Sequence, residues 1–234
     1  MANKIKIIAA GACRIAVLET TKAFTQATEI DTEIEFMTAP AMREKIVGSS
    51  HGFDAVIGAD AVTKSFIESG LMKPETTVTL GAIASSIVVR DGVAHPNIAT
   101  VDDFCATIRD ASAVIYNVAS SGIYIEKLME TLGLADEIAG RTERAPTGAA
   151  LLERIAAGKG DKEIGFGQMT EILRVKNSGV KVDLVGPLPA EIGNMTTFIA
   201  SAFVNAQSPE EAERFVSFIG TEEARRLIHK AGLS

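Results

Sequence analysis

Two arginines follow short apolar runs at similar distances. Arg14 comes after Ile5–Ala10 and the loop Gly11-Ala12-Cys13, and Arg43 comes after Glu33–Thr38 and Ala39-Pro40-Ala41-Met42. Each reads into the first turn of a helix, where a cation opposes the positive end of the helix dipole by a few tenths to about 1 kcal/mol. An anion held between the guanidinium and the helix N–H groups reverses that penalty, and a carboxylate can do so in bidentate geometry. The competing reading for each is an ordinary solvated surface arginine. Ser120 and Ser121, just ahead of Gly122, offer hydroxyls at another expected helix start, as ligand donors, as N-caps, or as both. Thr147 carries the same two readings. Gly11, Ala12, Cys13, Thr38 and Gln168 complete the set expected to touch a ligand.

A catalytic constellation is harder to find. Cys13, at an expected helix N-terminus, sits where a thiol pKa can fall, but no histidine is near it in sequence. Tyr116, within a strand, and Glu171, just past Gln168, are the other candidates for an acid or base, and the catalytic residue stays unassigned. Cys105 reads as a core residue on an amphipathic helix, and His51 as a surface residue beside Gly52. His51, His95 and His229 make no HxH or HxxxH pair, and the two cysteines no CxxC, so neither a metal site nor a disulfide framework is expected. Gly165-Phe166-Gly167 and Gly11-Ala12-Cys13 both fall short of a dinucleotide or phosphate-loop fingerprint, and no cofactor is expected.

These residues need elements to position them. Short apolar runs alternate with amphipathic stretches. Strands are expected at Ile5–Ala10, Glu33–Thr38, Asp54–Ala59, Thr76–Leu80, Ala82–Arg90, Ala113–Val118, Glu163–Gly167 and Thr197–Val204, with helices between most of them. That rhythm implies parallel strands joined by right-handed crossovers. Ligands of such sheets bind beyond the carboxyl ends of the strands, where the residues above fall. Helix starts are expected from Asp60 as an N-cap (with Lys64 and Glu68 paired), from a Thr100/Asp103 capping box, from Ser208-Pro209-Glu210-Glu211 and from Thr221. Val182–Pro189, extended and broken by proline, reads as a segment crossing between two halves.

Composition sets the outer limits. The 234 residues carry 23 Lys+Arg against 30 Asp+Glu, a net charge of -7, which disfavours nucleic acid as a partner. No apolar run approaches the ~18 residues of a membrane span, so the chain reads as soluble and not membrane-embedded. The opening Met1-Ala2-Asn3-Lys4 leads straight into a strand instead of a signal sequence. Two addresses stay open: cytoplasmic as written, or periplasmic if Met1 opens a trimmed mature form.

Glu163–Glu171, then Val185-Gly186-Pro187-Leu188-Pro189-Ala190-Glu191, and the C-terminal run Glu210-Glu211-Ala212 through Ala231-Gly232-Leu233 resemble the bacterial extracellular solute-binding proteins related to the molybdate-binding periplasmic protein. The resemblance spans essentially the whole chain. It implies an α/β, two-lobed, type II periplasmic-binding-protein-like fold with two crossing strands, lobe 1 over residues 1–82 plus 196–234 and lobe 2 over 83–195, with an anion in the cleft between them. It also implies an ABC transporter permease as partner if the protein is exported. Oxyanion binders of the family use serine hydroxyls after the first two strands. Here Ala12-Cys13-Arg14 and Ala39-Pro40-Ala41 stand instead, which suits an organic di- or tricarboxylate better than molybdate. Relatives similar to aconitate isomerase imply the alternative of a cofactor-independent isomerase on the same scaffold.

Overall fold

The computed structural model describes residues 4–47, 52–158 and 160–234, so His51 lies outside the described residues. In chain order the elements are β1 (Lys4–Ala10), α1 (Arg14–Thr28), β2 (Asp31–Met37), α2 (Ala39–Val47), β3 (Ala55–Ala59), α3 (Asp60–Glu68), β4 (Val78–Arg90), α4 (Val101–Asp110), β5 (Ala113–Asn117) and α5 (Ser120–Thr131). There follow α6 (Ala135–Ile138), β6 (Thr142–Ala145), α7 (Gly148–Ala156), β7 (Glu163–Gln168), α8 (Met169–Asn177), β8 (Val182–Pro187), β9 (Met195–Ala202), α9 (Pro209–Ile219) and α10 (Glu222–Lys230). The chain divides into two compact units, Met1–Ala82 with Thr197–Ser234, and Ile83–Thr196. The strands β4 and β9 run from one unit to the other.

The first unit has strand order β2-β1-β3-β9. Its strands β1, β2 and β3 are parallel, with Ile7 opposite both Ile34 and Ala55, and β9 runs antiparallel to β3. Ile5, Ile7 and Ile8 are fully buried, as are the facing Ala55, Val56 and Ile57. Burial on both faces explains why these strands read as apolar runs and not as alternations. Phe24 of α1 meets Phe215 and Phe218 of α9 edge-on, at centroid distances of 5.3 and 5.7 Å. The buried Asp54 ties this unit together, since Oδ2 accepts from the Lys6 N–H at 2.8 Å and Oδ1 from the Ser208 N–H at 2.9 Å.

In the second unit β7 lies between β4 and β5, β6 pairs outside β5, and β8 pairs with β4. The contacts β5–β6 and β5–β7 are parallel; β4–β7 and β4–β8 are antiparallel. One face of this sheet packs on Phe104, Ile125, Leu128 and Met129, with the Phe104 and Phe166 rings edge-on at 6.1 Å. The other face packs on Leu151, Leu152, Ile155 and Ile172.

Several local expectations change. Thr76–Leu80 and Ala82–Arg90 merge into the single strand β4, held near its middle by Ala82 and Ser234, which exchange hydrogen bonds of 2.8 and 3.1 Å. Val182–Pro189 does not cross between units: β8 pairs with β4, with a bulge at Ile87/Val88, and the proline falls at its end. Asp60 is the first residue of α3, not its N-cap, and Lys64 pairs back to Asp60 at 2.8 Å instead of forward to Glu68. Ser208 stands at the N-cap position of α9 without a side-chain cap bond: its hydroxyl donates to the Lys4 carbonyl at 3.5 Å and its N–H to Asp54. Thr100 and Asp103 do form their capping box, and Thr221 caps α10 through the Ala224 N–H. The strand β6 and the single turn α6 fall where the sequence suggests no element, since four residues Thr-Glu-Arg-Ala carry no β pattern of their own.

Asp183 of β8 accepts from Lys176 and lies 2.8 Å from His95 Nε2. The Lys176 hydrogen bond, then that of His95, holds its carboxyl below the usual carboxylate range. A depressed carboxylate stabilises the fold fully above its unfolded pKa, and the contribution is lost as pH falls through the folded value. Asp183→Asn is therefore expected to lose up to about 1 kcal/mol in urea unfolding at neutral pH. The deficit relative to wild type should close as pH falls below the native pKa of Asp183, and a deficit independent of pH would contradict this ion-pair assignment.

Candidate functional site

In the first unit the predicted loop residues Gly11–Cys13 form one 3-10 turn between β1 and α1. Arg14 is the first residue of α1, as expected, and its guanidinium carbon stands 4.0 Å over the Phe36 ring of β2. The ring fixes the cation beside the carboxyl ends of β1 and β2, in the one place on α1 where the dipole opposes it. Arg43 differs. The helix α2 begins at Ala39, two residues earlier than expected, with the Thr38 carbonyl accepting from the Met42 N–H at 2.9 Å. Arg43 is thereby in the second turn, exposed, donating to Ser65 Oγ of α3 at 2.9 Å. Pro40 is the reason: it is well tolerated in a first helical turn, so the helix starts through it instead of after it.

Cys13 is fully buried, and burial pushes its thiol well above the ordinary value. A buried thiol next to a helix start stays protonated when desolvation outweighs the dipole, the reverse of nucleophile activation. Cys105 is partly buried against the core of the second unit.

In the second unit the parallel strands β5, β6 and β7 end at one edge, and each leads into a helix, α5, α7 and α8. Ser120 and Ser121 open α5 but do not cap it. Asn117 Oδ1 instead accepts from the Ala119 N–H at 2.8 Å, so among the described residues neither serine hydroxyl has a protein hydrogen-bond partner. The turn is tight: a β-carbon on Gly122 would stand 1.7 Å from the Asn117 carbonyl oxygen. Thr147 caps α7, its Oγ1 accepting from the Ala150 N–H at 3.0 Å. Gln168 ends β7 with its side chain buried; Nε2 donates to Thr196 Oγ1 at 2.9 Å, and among the described residues Oε1 has no hydrogen-bond partner.

Glu171, the third residue of α8, reaches across to α7. A β-carbon on Gly148 would lie 2.0 Å from Glu171 Oε2, 2.5 Å from Cδ and 2.8 Å from Oε1. The carboxylate thus packs directly on the first residue of α7, where an anion is stabilised by the dipole. Tyr116 faces the core, 5% exposed, beneath the Arg144 guanidinium at 4.9 Å. Burial is the main cause that pushes its phenol up.

Sequence reasoning missed a polar group beside Gln168. The register pairs Gln168 with Ser85, Asn194 Nδ2 donates to Ser85 Oγ at 3.3 Å, and Ser85 and Ser86 are buried. The available signal was two adjacent serines inside the apolar run Ala82–Arg90. A separate half-open cavity of about 580 Å³ lies at the opposite, amino ends of β5 and β7, lined by residues including Val89, Arg90, His95 and Ile164, and none of the predicted site residues borders it. Among the described residues no cluster of three or more His, Cys, Asp or Glu is placed to hold a metal ion, and no helix is long and apolar enough to cross a membrane.

In each unit helix N-termini lie at strand carboxyl ends, with an arginine at one in the first unit and serine hydroxyls at one in the second. The sequence profile of the bacterial extracellular solute-binding proteins matches residues 5–234, and the chain belongs to that family. It is 23% identical to an aconitate isomerase from Pseudomonas sp. over 98% of this chain and 87% of that enzyme. Its two-lobed α/β fold is similar to that of the periplasmic molybdate-binding protein of Azotobacter vinelandii (18% identity, TM-score 0.77, 98% of each chain). It is similar also to the sulfate-binding protein of Mycobacterium tuberculosis (17% identity, TM-score 0.79, 99% of this chain and 86% of that one).

Two outcomes test this geometry. Gly122→Ala, whose new methyl meets backbone, should lose about 3 kcal/mol of stability in chemical denaturation; a loss below 1 kcal/mol would mean the α5 turn is looser than described. A thiol reagent at mildly alkaline pH should modify Cys105 in the native protein and Cys13 only after unfolding, as peptide mapping would read.

Proposed function

We propose that this chain captures a small organic anion, a di- or tricarboxylate, using Arg14 and Arg43 as charge partners and Ser120, Ser121, Thr147 and Gln168 as hydrogen-bonding groups. The observation that carries the reading is Arg14, a cation stacked on Phe36 at the start of α1, where a bound anion would offset its opposition to the dipole. Gly11, Ala12 and Thr38 then supply the surrounding loop surface, whereas Cys13, fully buried, packs inside the same loop. In an exported form, the family membership supports delivery of the solute to an ABC transporter permease.

A second reading is supported by the relative named aconitate isomerase. On that reading the chain moves an allylic proton of a polycarboxylate, which requires carboxylate clamps and one acid/base group. Of the three candidates, Cys13 and Tyr116 both have pKa values raised by burial, which leaves Glu171 as the first to test.

Proton NMR of a di- and tricarboxylate panel, both aconitates included, with sub-stoichiometric protein separates the two. Line broadening without new resonances is the expected result for a receptor; product resonances would make it an isomerase. Arg14→Ala and Arg43→Ala should each weaken binding by about 1.5–3 kcal/mol, the worth of a charge-assisted hydrogen bond. Wild-type affinity in both variants would overturn the arginine assignment, and a panel that leaves no trace would overturn the carboxylate reading.

A further inference from the structure

The second unit's strand-end groups have an unexpected electrical character. Ser120, Ser121, Thr147 and Gln168 are all neutral. The one charged side chain of those assigned to this edge is Glu171, an acid, and its carboxylate is packed against Gly148 at the first residue of α7. A helix start is where a bound anion would take backbone N–H groups. Here the Thr147 hydroxyl already takes the Ala150 N–H, and a resident carboxylate from α8 sits beside it. Position 148 must be glycine for this to happen, because any side chain there would stand on the carboxylate.

We infer that Glu171 is a specificity-determining residue: it fills the start of α7 with the protein's own negative charge, so that tetrahedral inorganic oxyanions are rejected and this unit receives a neutral hydrogen-bonding part of the ligand, such as a hydroxyl. The inference rests on the proposal that the strand-end loops form the ligand site, and it narrows the substrate class of that site. Molybdate and sulfate spread their charge over every oxygen, so any oxygen they bring to Ser120, Ser121 or the start of α7 brings negative charge toward Glu171. An organic acid keeps its carboxylates apart on a carbon frame and can present a hydroxyl here while its charge is met elsewhere. The buried Gln168 Oε1, an acceptor lacking a partner, favours a ligand group that donates a proton.

The test is isothermal titration of the full chain and of Glu171→Gln and Glu171→Ser, with sodium molybdate and sodium sulfate at constant ionic strength, and citrate against tricarballylate, which lacks the hydroxyl. Glu171→Gln keeps the side-chain shape and removes the charge; Glu171→Ser, a good residue in a first helical turn, serves if the glutamine variant unfolds, with thermal melts as the check. Wild type should show no saturable binding of either oxyanion at millimolar concentration and should prefer citrate by about tenfold, a typical return for one added hydrogen bond. Either variant should gain at least about tenfold in oxyanion affinity. Micromolar oxyanion binding by wild type, or unchanged oxyanion affinity in the folded variants, overturns the inference. Failure of wild type to bind any carboxylate overturns instead the function proposed above, while a gain of oxyanion binding in the variants would still uphold the role of Glu171.

Discussion

A parallel strand cannot be joined to its neighbour by a tight turn; the chain must travel back along the sheet, here through a helix, before the next strand begins. That constraint governs both units. It applies to β1, β2 and β3 in one and to β5, β6 and β7 in the other, and it places the start of a helix after each of these strands. Backbone N–H groups and the positive ends of dipoles therefore collect at one edge of each sheet without any residue being selected for chemistry.

What distinguishes this chain is how each helix start is then used. Arg14 sets a cation on α1, steadied by Phe36. Asn117 holds the Ala119 N–H at the turn into α5, and among the described residues the hydroxyls of Ser120 and Ser121 have no protein hydrogen-bond partner. Glu171 lies over the first residue of α7 and makes that end already anionic. Three helix starts of similar origin thus differ in charge. The solved structures named for molybdate and sulfate share this fold, and a fold of this kind leaves ligand choice to such local differences.

Cys13 is desolvated and held as a thiol, and the second unit's Tyr116 is committed to the core and to Arg144. Glu171 is the one candidate acid or base whose carboxylate stands at a strand-end loop, and its position against Gly148 gives it a structural task in addition to any chemical one.

The alternation of apolar runs with amphipathic stretches determined the α/β class, the parallel strands and the place of most helix starts, because burial of one helix face leaves a periodic trace and burial of both sheet faces a continuous apolar run. Arg14 at a helix start and the Thr100, Thr147 and Thr221 caps were legible for the same local reason: the partner lies within four residues. Everything that depended on a distant partner was not. Ser208 looks like a side-chain cap, but its hydroxyl turns to the carbonyl of Lys4, 204 positions away. Ser85 reads as a strand residue until register sets it opposite Gln168. Glu171 looks like one more solvated carboxylate until the side-by-side placement of α7 and α8 brings it onto Gly148. Local hydrogen bonds are encoded by spacing, whereas the charge of a site is decided by which side chains the tertiary fold carries to it.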